Sequence, residues 1–175
     1  MSNSVNILGV NSIPAYLYSL IDEVTPLKVD CGALCDGACC KGDDAGMYLF
    51  PHEEVMYSGK EKWMDIYDSD VLLRGEPVKI LVCKGKCDRR KRPLSCRIFP
   101  LFIGNDGEIS VDSRAGAMCP LAKSKMGIEE YNPDFVKNVE KAFKMLMKIK
   151  ITKEFIEINK KIINEYKELE NLFSE

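Results

Sequence analysis

Eight cysteines carry the side-chain chemistry that stands out in this 175-residue chain. Cys31, Cys35, Cys39 and Cys40 fall close together, Cys83, Cys87 and Cys96 follow, and Cys119 stands directly before Pro120. Thiolate is a soft, charged ligand that suits zinc, Cu(I) and iron–sulfur clusters. Four thiolates close a structural zinc site, and four also hold a [4Fe–4S] cubane. Eight therefore suffice for two centres, for one centre with spares, or for a binuclear site with shared thiolates. Disulfides, or burial as small hydrophobes, are the competing readings for individual cysteines. Three residues separate Cys31 from Cys35, Cys35 from Cys39, and Cys83 from Cys87, a looser spacing than the C-x₂-C pairs of a zinc ribbon. In an extended segment, neighbouring side chains point in opposite directions. The doublet Cys39-Cys40 is thus expected to face two different partners, which favours both cysteine groups interleaving at one compact locus.

A thiolate-rich centre is negative, and the chain supplies positive charge beside it. Lys84, Lys86, Arg89, Arg90, Lys91, Arg92 and Arg97 surround Cys87 and Cys96, with Asp88 the only acid among them. Arg92 and Arg97 flank Cys96 and are expected to lower thiol pKa and to hydrogen-bond sulfur, so both are candidate cofactor-binding residues. A solvated loop is the plainer alternative. A phosphate or nucleic-acid patch is disfavoured, because aromatics are not interleaved with these charges and the whole chain carries a formal net charge of −2. His52, the single histidine, has no histidine partner and reads as a helix-start or surface residue.

The elements that must position these residues divide the chain into a lead-in over 1–30, a cysteine-bearing domain over 31–120 and a helical segment over 121–175. In the lead-in, Pro14 opens a helical turn through Tyr16, Leu17 and Leu20 to Val24, Pro26 stops it, and Leu27-Lys28-Val29 suggests a short strand. Residues 31–46 read as a glycine- and aspartate-rich loop that can wrap around something small. A strand is expected at Met47–Phe50, a short helix from Glu53 to Tyr57, and a second short helix from Glu61 to Tyr67, where Trp63, Ile66 and Tyr67 can share a face. Val78–Val82 is β-leaning and delivers Cys83. Leu101–Ile103, Gly104–Gly107 and Glu108–Val111 form a hairpin signal between Cys96 and Cys119.

Beyond Asn132 the character changes. Asn132 caps a helix with Pro133 at its first position. Phe135, Val139, Phe143, Leu146 and Ile149 give one apolar stripe, and Phe155, Ile158, Ile162, Tyr166, Leu169 and Phe173 a second, with Thr152 a candidate boundary. The stripes serve packing on the metal-binding part, or the last one serves as a homodimer seam. The fold class expected is α+β: a loop-rich cysteine core with short strands and a hairpin, packed by C-terminal helices.

Composition is that of a globular domain, with 46% hydrophobic and 30% charged residues. There is no basic n-region with an apolar h-region at the N-terminus and no apolar run of about 18 residues, so a cytoplasmic protein without membrane or nucleic-acid partners is expected. In that compartment, clustered cysteines bind metal or do redox work more often than they pair.

The doublet Cys39-Cys40 and the stretch Arg92-Pro93-x-x-Cys96-Arg97-x-Phe99-Pro100, with Cys31, Cys35, Cys83, Cys87 and Cys119, resemble the bacterial and archaeal cysteine-cluster family described as zinc- or iron-chelating proteins after a CxxCxxCC signature. Flagellin lysine-N-methylases are similar to that family in their cysteine region. The resemblance covers about Cys31 to Pro120, and includes Tyr48–Val55 as the strand and short acidic helix after the doublet. It departs in the first spacings and in the compressed, basic segment from Cys83 to Cys96. It implies a zinc or iron centre, the latter including a [4Fe–4S] cluster, ligated by Cys31, Cys35, Cys39, Cys40, Cys83, Cys87, Cys96 and Cys119. A closed site would make the protein a binding module with a protein partner; the alternative is a redox or methyl-transfer enzyme. No Gly-rich strand–turn–helix signal for S-adenosylmethionine accompanies the cysteines.

Overall fold

In the computed structural model, residues 13–41, 46–84, 87 and 89–173 are described. Helix α1 spans Tyr16–Asp22 and α2 spans Cys31–Leu34, followed by a 3-10 turn at Ala38–Cys40. Strands β1 (Gly46–Tyr48), β2 (Met64–Leu73) and β3 (Glu76–Cys83) form an antiparallel sheet in the order β1-β3-β2. Helix α3 (Leu94–Ile98) leads into the hairpin β4 (Leu101–Ile103) and β5 (Ile109–Val111). Helices α4 (Pro120–Lys123), α5 (Pro133–Leu146) and α6 (Lys150–Leu172) complete the chain. The α+β class is as expected.

The expected helix over Glu61–Tyr67 is instead the start of β2. Trp63, Ile66 and Tyr67 fit a helical face, but Met64, Ile66 and Tyr67 pair with Cys83, Leu81 and Ile80. The apolar run of β3 needs a partner on this edge, and ladder formation overrides the local pattern. A two-residue turn, Arg74-Gly75, closes the hairpin with both residues at positive φ, which matches the right-handed twist of the strands. Leu27–Val29 is a series of bends rather than a strand, and the expected loop over 31–46 contains α2 and the 3-10 turn, with residues 42–45 outside the described set. The predicted helix after His52 is a 3-10 turn, Glu53–Met56, with His52 exposed at its start.

The main core is drawn from every region of the chain. Leu17 and Ile21 of α1, Leu94 and Ile98 of α3, Leu101 and Phe102 of β4, Phe135, Val139 and Phe143 of α5, and Phe155 and Ile156 of α6 are buried together. The lead-in segment is thus part of the core. A smaller cluster, Leu49, Met64 and Leu81, sits under the sheet. Asn132 caps α5 as read, its side chain accepting from the Asp134 amide. The break between α5 and α6 falls at Met147–Ile149, and Thr152 secures it by donating its hydroxyl to the carbonyls of Leu146 and Ile149. The buried face of α6 runs Thr152, Phe155, Ile156, Asn159, Lys160, so of the predicted stripe only Phe155 lies on it, while Ile158, Ile162 and Tyr166 are half-buried. Its distal residues Leu169, Leu172 and Phe173 are exposed. No described helix is long and apolar enough to cross a membrane.

One buried carboxylate joins these layers. Glu53, 2% exposed, accepts from the Tyr18 hydroxyl of α1 at 2.8 Å, from the Phe50 amide at 2.8 Å and from the Leu94 amide at the start of α3 at 2.6 Å. Burial pushes its pKa up from 4.5 to about 7, although its three donors pull the other way. Between those values the native protein keeps a proton that the unfolded chain has released. The contribution to stability is therefore full below pH 4.5 and is lost as pH rises through about 7. A shift of that size corresponds to about 3 kcal/mol. Glu53→Gln mimics the protonated carboxyl, its amide nitrogen standing where the acid O–H stands, and is expected to change stability by less than ~1 kcal/mol at pH 5. It should also remove the decline in stability between pH 5 and 8. Urea denaturation of both proteins across that range checks this; an unchanged pH slope in the variant assigns the titration to another group.

Candidate metal centre

Each cysteine is placed by a short, separately anchored element. Asp30 caps α2 by accepting from the Gly32 amide, and the helix sets Cys31 and Cys35 one turn apart on the same side. The chain then reverses through Asp36 (φ 51°) and Gly37 (φ 65°), two successive left-handed residues, to start the turn that carries Cys39 and Cys40. Cys83 ends β3 opposite Met64, and the ladder continues one step through the Lys84 amide to the Trp63 carbonyl. Cys96 is the third residue of α3, which Glu53 holds by the Leu94 amide while the Ser95 hydroxyl donates to the Tyr48 carbonyl at 2.6 Å. Cys119 precedes α4, and its amide donates to Ala115 at 2.7 Å.

All eight thiols line two adjoining cavities, and none is in a disulfide. The smaller, about 40 Å³, is bounded by Cys39, Cys40, Cys83, Cys87 and Cys96 with Arg92, Trp63 and Met118. The larger, about 200 Å³, is bounded by Cys31, Cys35, Cys39, Cys40, Cys96 and Cys119 with Arg89 and Arg92. The two cysteine groups thus interleave at one locus. The doublet differs from its expected geometry: the 3-10 turn brings the Cys39 and Cys40 sulfurs to 3.9 Å instead of sending them to opposite sides.

Four thiols gather around one guanidinium. Arg92 Nε donates to Cys87 Sγ at 3.2 Å. Its charge also bears on Cys39, Cys40 and Cys96. The hydrogen bond with Cys40 lowers the Cys39 pKa, against burial and with help from Arg92. The same contact pushes Cys40 up to about 11. Cys87 is raised, first by its contact with Cys40 and then by burial. Burial raises Cys96, helped by the charges of Cys40 and Cys87. Cys31 is also raised, by burial and then by Cys35, while Arg89 opposes this. One protein thiolate, Cys39, is thus favoured among neighbours that hold their protons.

Arg97 does not take the role expected of it. Its guanidinium donates to the carbonyls of Arg92, Arg90 and Tyr18, pairs with Asp22 and lies over the Tyr18 ring. It ties α3 to α1 rather than reaching sulfur. Arg89, noticed in the sequence only as part of a basic run, donates to the Asp22 and Val24 carbonyls and faces Cys31. Lys86 and Asp88 lie outside the described residues. Trp63, Met118 and Tyr131 carried no signal for a role at the site. Trp63 and Met118 wall the smaller cavity, and Tyr131, 2% exposed, has a hydroxyl with no partner among the described residues and Cys119 as a neighbouring charge.

The donor set fits a thiophilic metal. Among the described residues, no three Cys, His, Asp or Glu side chains converge tightly enough to hold an ion as they stand, so closure on a metal asks for rotation of cysteine side chains. No family model matches the chain, and neither a curated protein nor a solved structure matches it. The resemblance of its cysteine segments to the chelating family stands on the motif residues alone.

The electrostatics predict an order of thiol reactivity. In metal-free, reduced protein, iodoacetamide should modify Cys39 ahead of Cys40, Cys87 and Cys96, because attack requires thiolate. Arg92→Gln removes a short-range cation worth about 1 kcal/mol and should slow that step ~5-fold. Peptide mapping by mass spectrometry over time reads both effects; equal labelling of the four would contradict the arrangement.

Proposed function

We propose that this protein binds a thiophilic metal, as zinc or as iron in an iron–sulfur centre such as [4Fe–4S], through thiolates drawn from Cys31, Cys35, Cys39, Cys40, Cys83, Cys87, Cys96 and Cys119. The observation that carries the reading is the grouping of Cys39, Cys40, Cys87 and Cys96, from three separate chain segments, about the guanidinium of Arg92. Four reduced thiols repel one another once ionised, and a metal together with an adjacent cation offsets that charge. Contact between neighbouring thiols holds Cys40 and Cys87 protonated, and burial holds Cys96 so, which means that a ligand that displaces the protons suits the site better than free thiolate chemistry does. The motif resemblance to the cysteine-cluster family agrees with this reading.

When bound, the ion or cluster would cross-link the segments carrying the cysteines, and a cluster would also supply one-electron exchange. The chain's own contributions are distinct. Arg92 offsets charge and hydrogen-bonds sulfur, Glu53 and Arg97 fix α3 and with it Cys96, and Trp63 and Met118 wall the smaller cavity.

Anaerobic purification followed by a visible spectrum and elemental analysis on one sample tests this. A brown protein with absorption near ~400 nm, iron and acid-labile sulfide is the expected result for a cluster, and a colourless protein with stoichiometric zinc is the expected result for a zinc site. Metal-free protein whose eight thiols react freely with a thiol reagent would overturn the proposal.

A further inference from the structure

The thiols are not shared evenly between the two cavities. Cys31, Cys35 and Cys119 line only the larger one, whereas Cys83 and Cys87 line only the smaller. Cys39, Cys40 and Cys96 stand in the wall common to both, and their neighbours draw them towards Cys87: Cys40 lies within hydrogen-bonding reach of it, and Cys96 feels both Cys40 and Cys87. Cys39, 3.9 Å from Cys40, also senses Cys35 across the wall. Around the smaller cavity there are therefore enough thiols to close a four-coordinate site, with Cys83 a fifth. On the far side of the wall Cys31, Cys35 and Cys119 are the thiols left over; Cys31 has both of the others as neighbouring charges, and closing the three on one ion asks for rotation of their side chains.

Resting on the thiolate reading above, we propose that Cys31, Cys35 and Cys119 form a second metal centre, one that supplies three protein thiolates and leaves a coordination position open to a small anionic ligand in the larger cavity. Three observations beyond the thiols point there. The cavity that these cysteines border encloses about 200 Å³, several times the space beside the quartet. Its wall is cationic, with Arg89 facing Cys31 and Arg92 also lining it. The Tyr131 hydroxyl, almost fully buried and without a partner among the described residues, has Cys119 as a neighbouring charge and is a donor that a metal-bound thiolate could use. Three protein ligands with an open fourth position is the arrangement of a site that exchanges ligands, while a closed quartet is the arrangement of a structural one.

The full chain, reduced and stripped of metal, is reloaded with zinc or with cobalt(II), and metal per chain is counted by native mass spectrometry. The wild type is expected to take up two ions. Cys31→Ser with Cys119→Ser should retain one, and Cys87→Ser with Cys96→Ser should retain the other. Cys35→Ser, at the end of α2, is the milder variant should the first pair fail to fold by circular dichroism. Azide is then titrated into the cobalt(II) forms. It should shift the visible bands of the wild type and of the Cys87/Cys96 variant, and leave the Cys31/Cys119 variant unchanged.

A wild type that binds no metal overturns the thiolate reading itself. A wild type with one ion, lost in both variants, leaves that reading intact and overturns the second centre. Two ions whose cobalt spectrum ignores azide overturn the open position.

Discussion

The carboxylate of Glu53 is the interaction on which the remaining arrangement depends. It is buried among apolar side chains and yet accepts three hydrogen bonds, from α1, from the turn after β1 and from the first amide of α3. A short helix of five residues has little stability of its own, because its end groups outnumber its internal bonds. Glu53 satisfies one of those end groups from a distant part of the chain. That contact fixes where α3 begins, and so fixes Cys96 against the doublet and Cys87. The charge is costly to bury, which is why the group's proton affinity is raised.

Three arginines near the cysteines illustrate how one residue type is put to different uses. Guanidinium offers five donors in a fixed plane, and the choice of acceptor depends on what the fold brings within reach. For Arg97 the acceptors are backbone carbonyls and Asp22, so it acts as a clamp between α1 and α3. Arg89 is also anchored on carbonyls but leaves its charge beside Cys31. Arg92 alone among the three has a described hydrogen bond to sulfur. A basic run that is uniform in sequence thus divides into a structural part and an electrostatic part.

Thiols packed at this density suppress one another's ionisation. A first thiolate is stabilised by its neighbours' S–H groups, as Cys39 is by Cys40, and each further one meets both burial and the charge already present. A cation placed among them changes the sign of that interaction. The arrangement of one favoured thiolate, several protonated neighbours and one guanidinium gives an incoming metal a first ligand and a set of protons to displace.

Several features were legible in the sequence because they depend on local chemistry. The Asn132-Pro133 start of α5, the β4–β5 hairpin around Gly104–Gly107, the β3 run into Cys83 and the choice of cysteine as the reactive residue each follow from neighbours close in the chain. The mixed α+β class followed from those pieces. Tertiary structure decided what depends on partners far away. Trp63–Tyr67 fits a helical face in isolation, yet it lies at the start of a strand because β3 offers a ladder. Cys39 and Cys40 were expected to point apart and instead sit side by side, because Asp36 and Gly37 turn the chain into a 3-10 geometry. Glu53, in the sequence only the start of an expected short helix, is a buried joint, and Arg97 is drawn from sulfur to backbone. Residue type determined which chemistry the protein can perform. Which thiols stand together, and which charge stands beside them, was settled only when segments from Cys31 to Cys119 packed against one core, since electrostatic and hydrogen-bonding partners are selected by distance in space and not by distance along the chain.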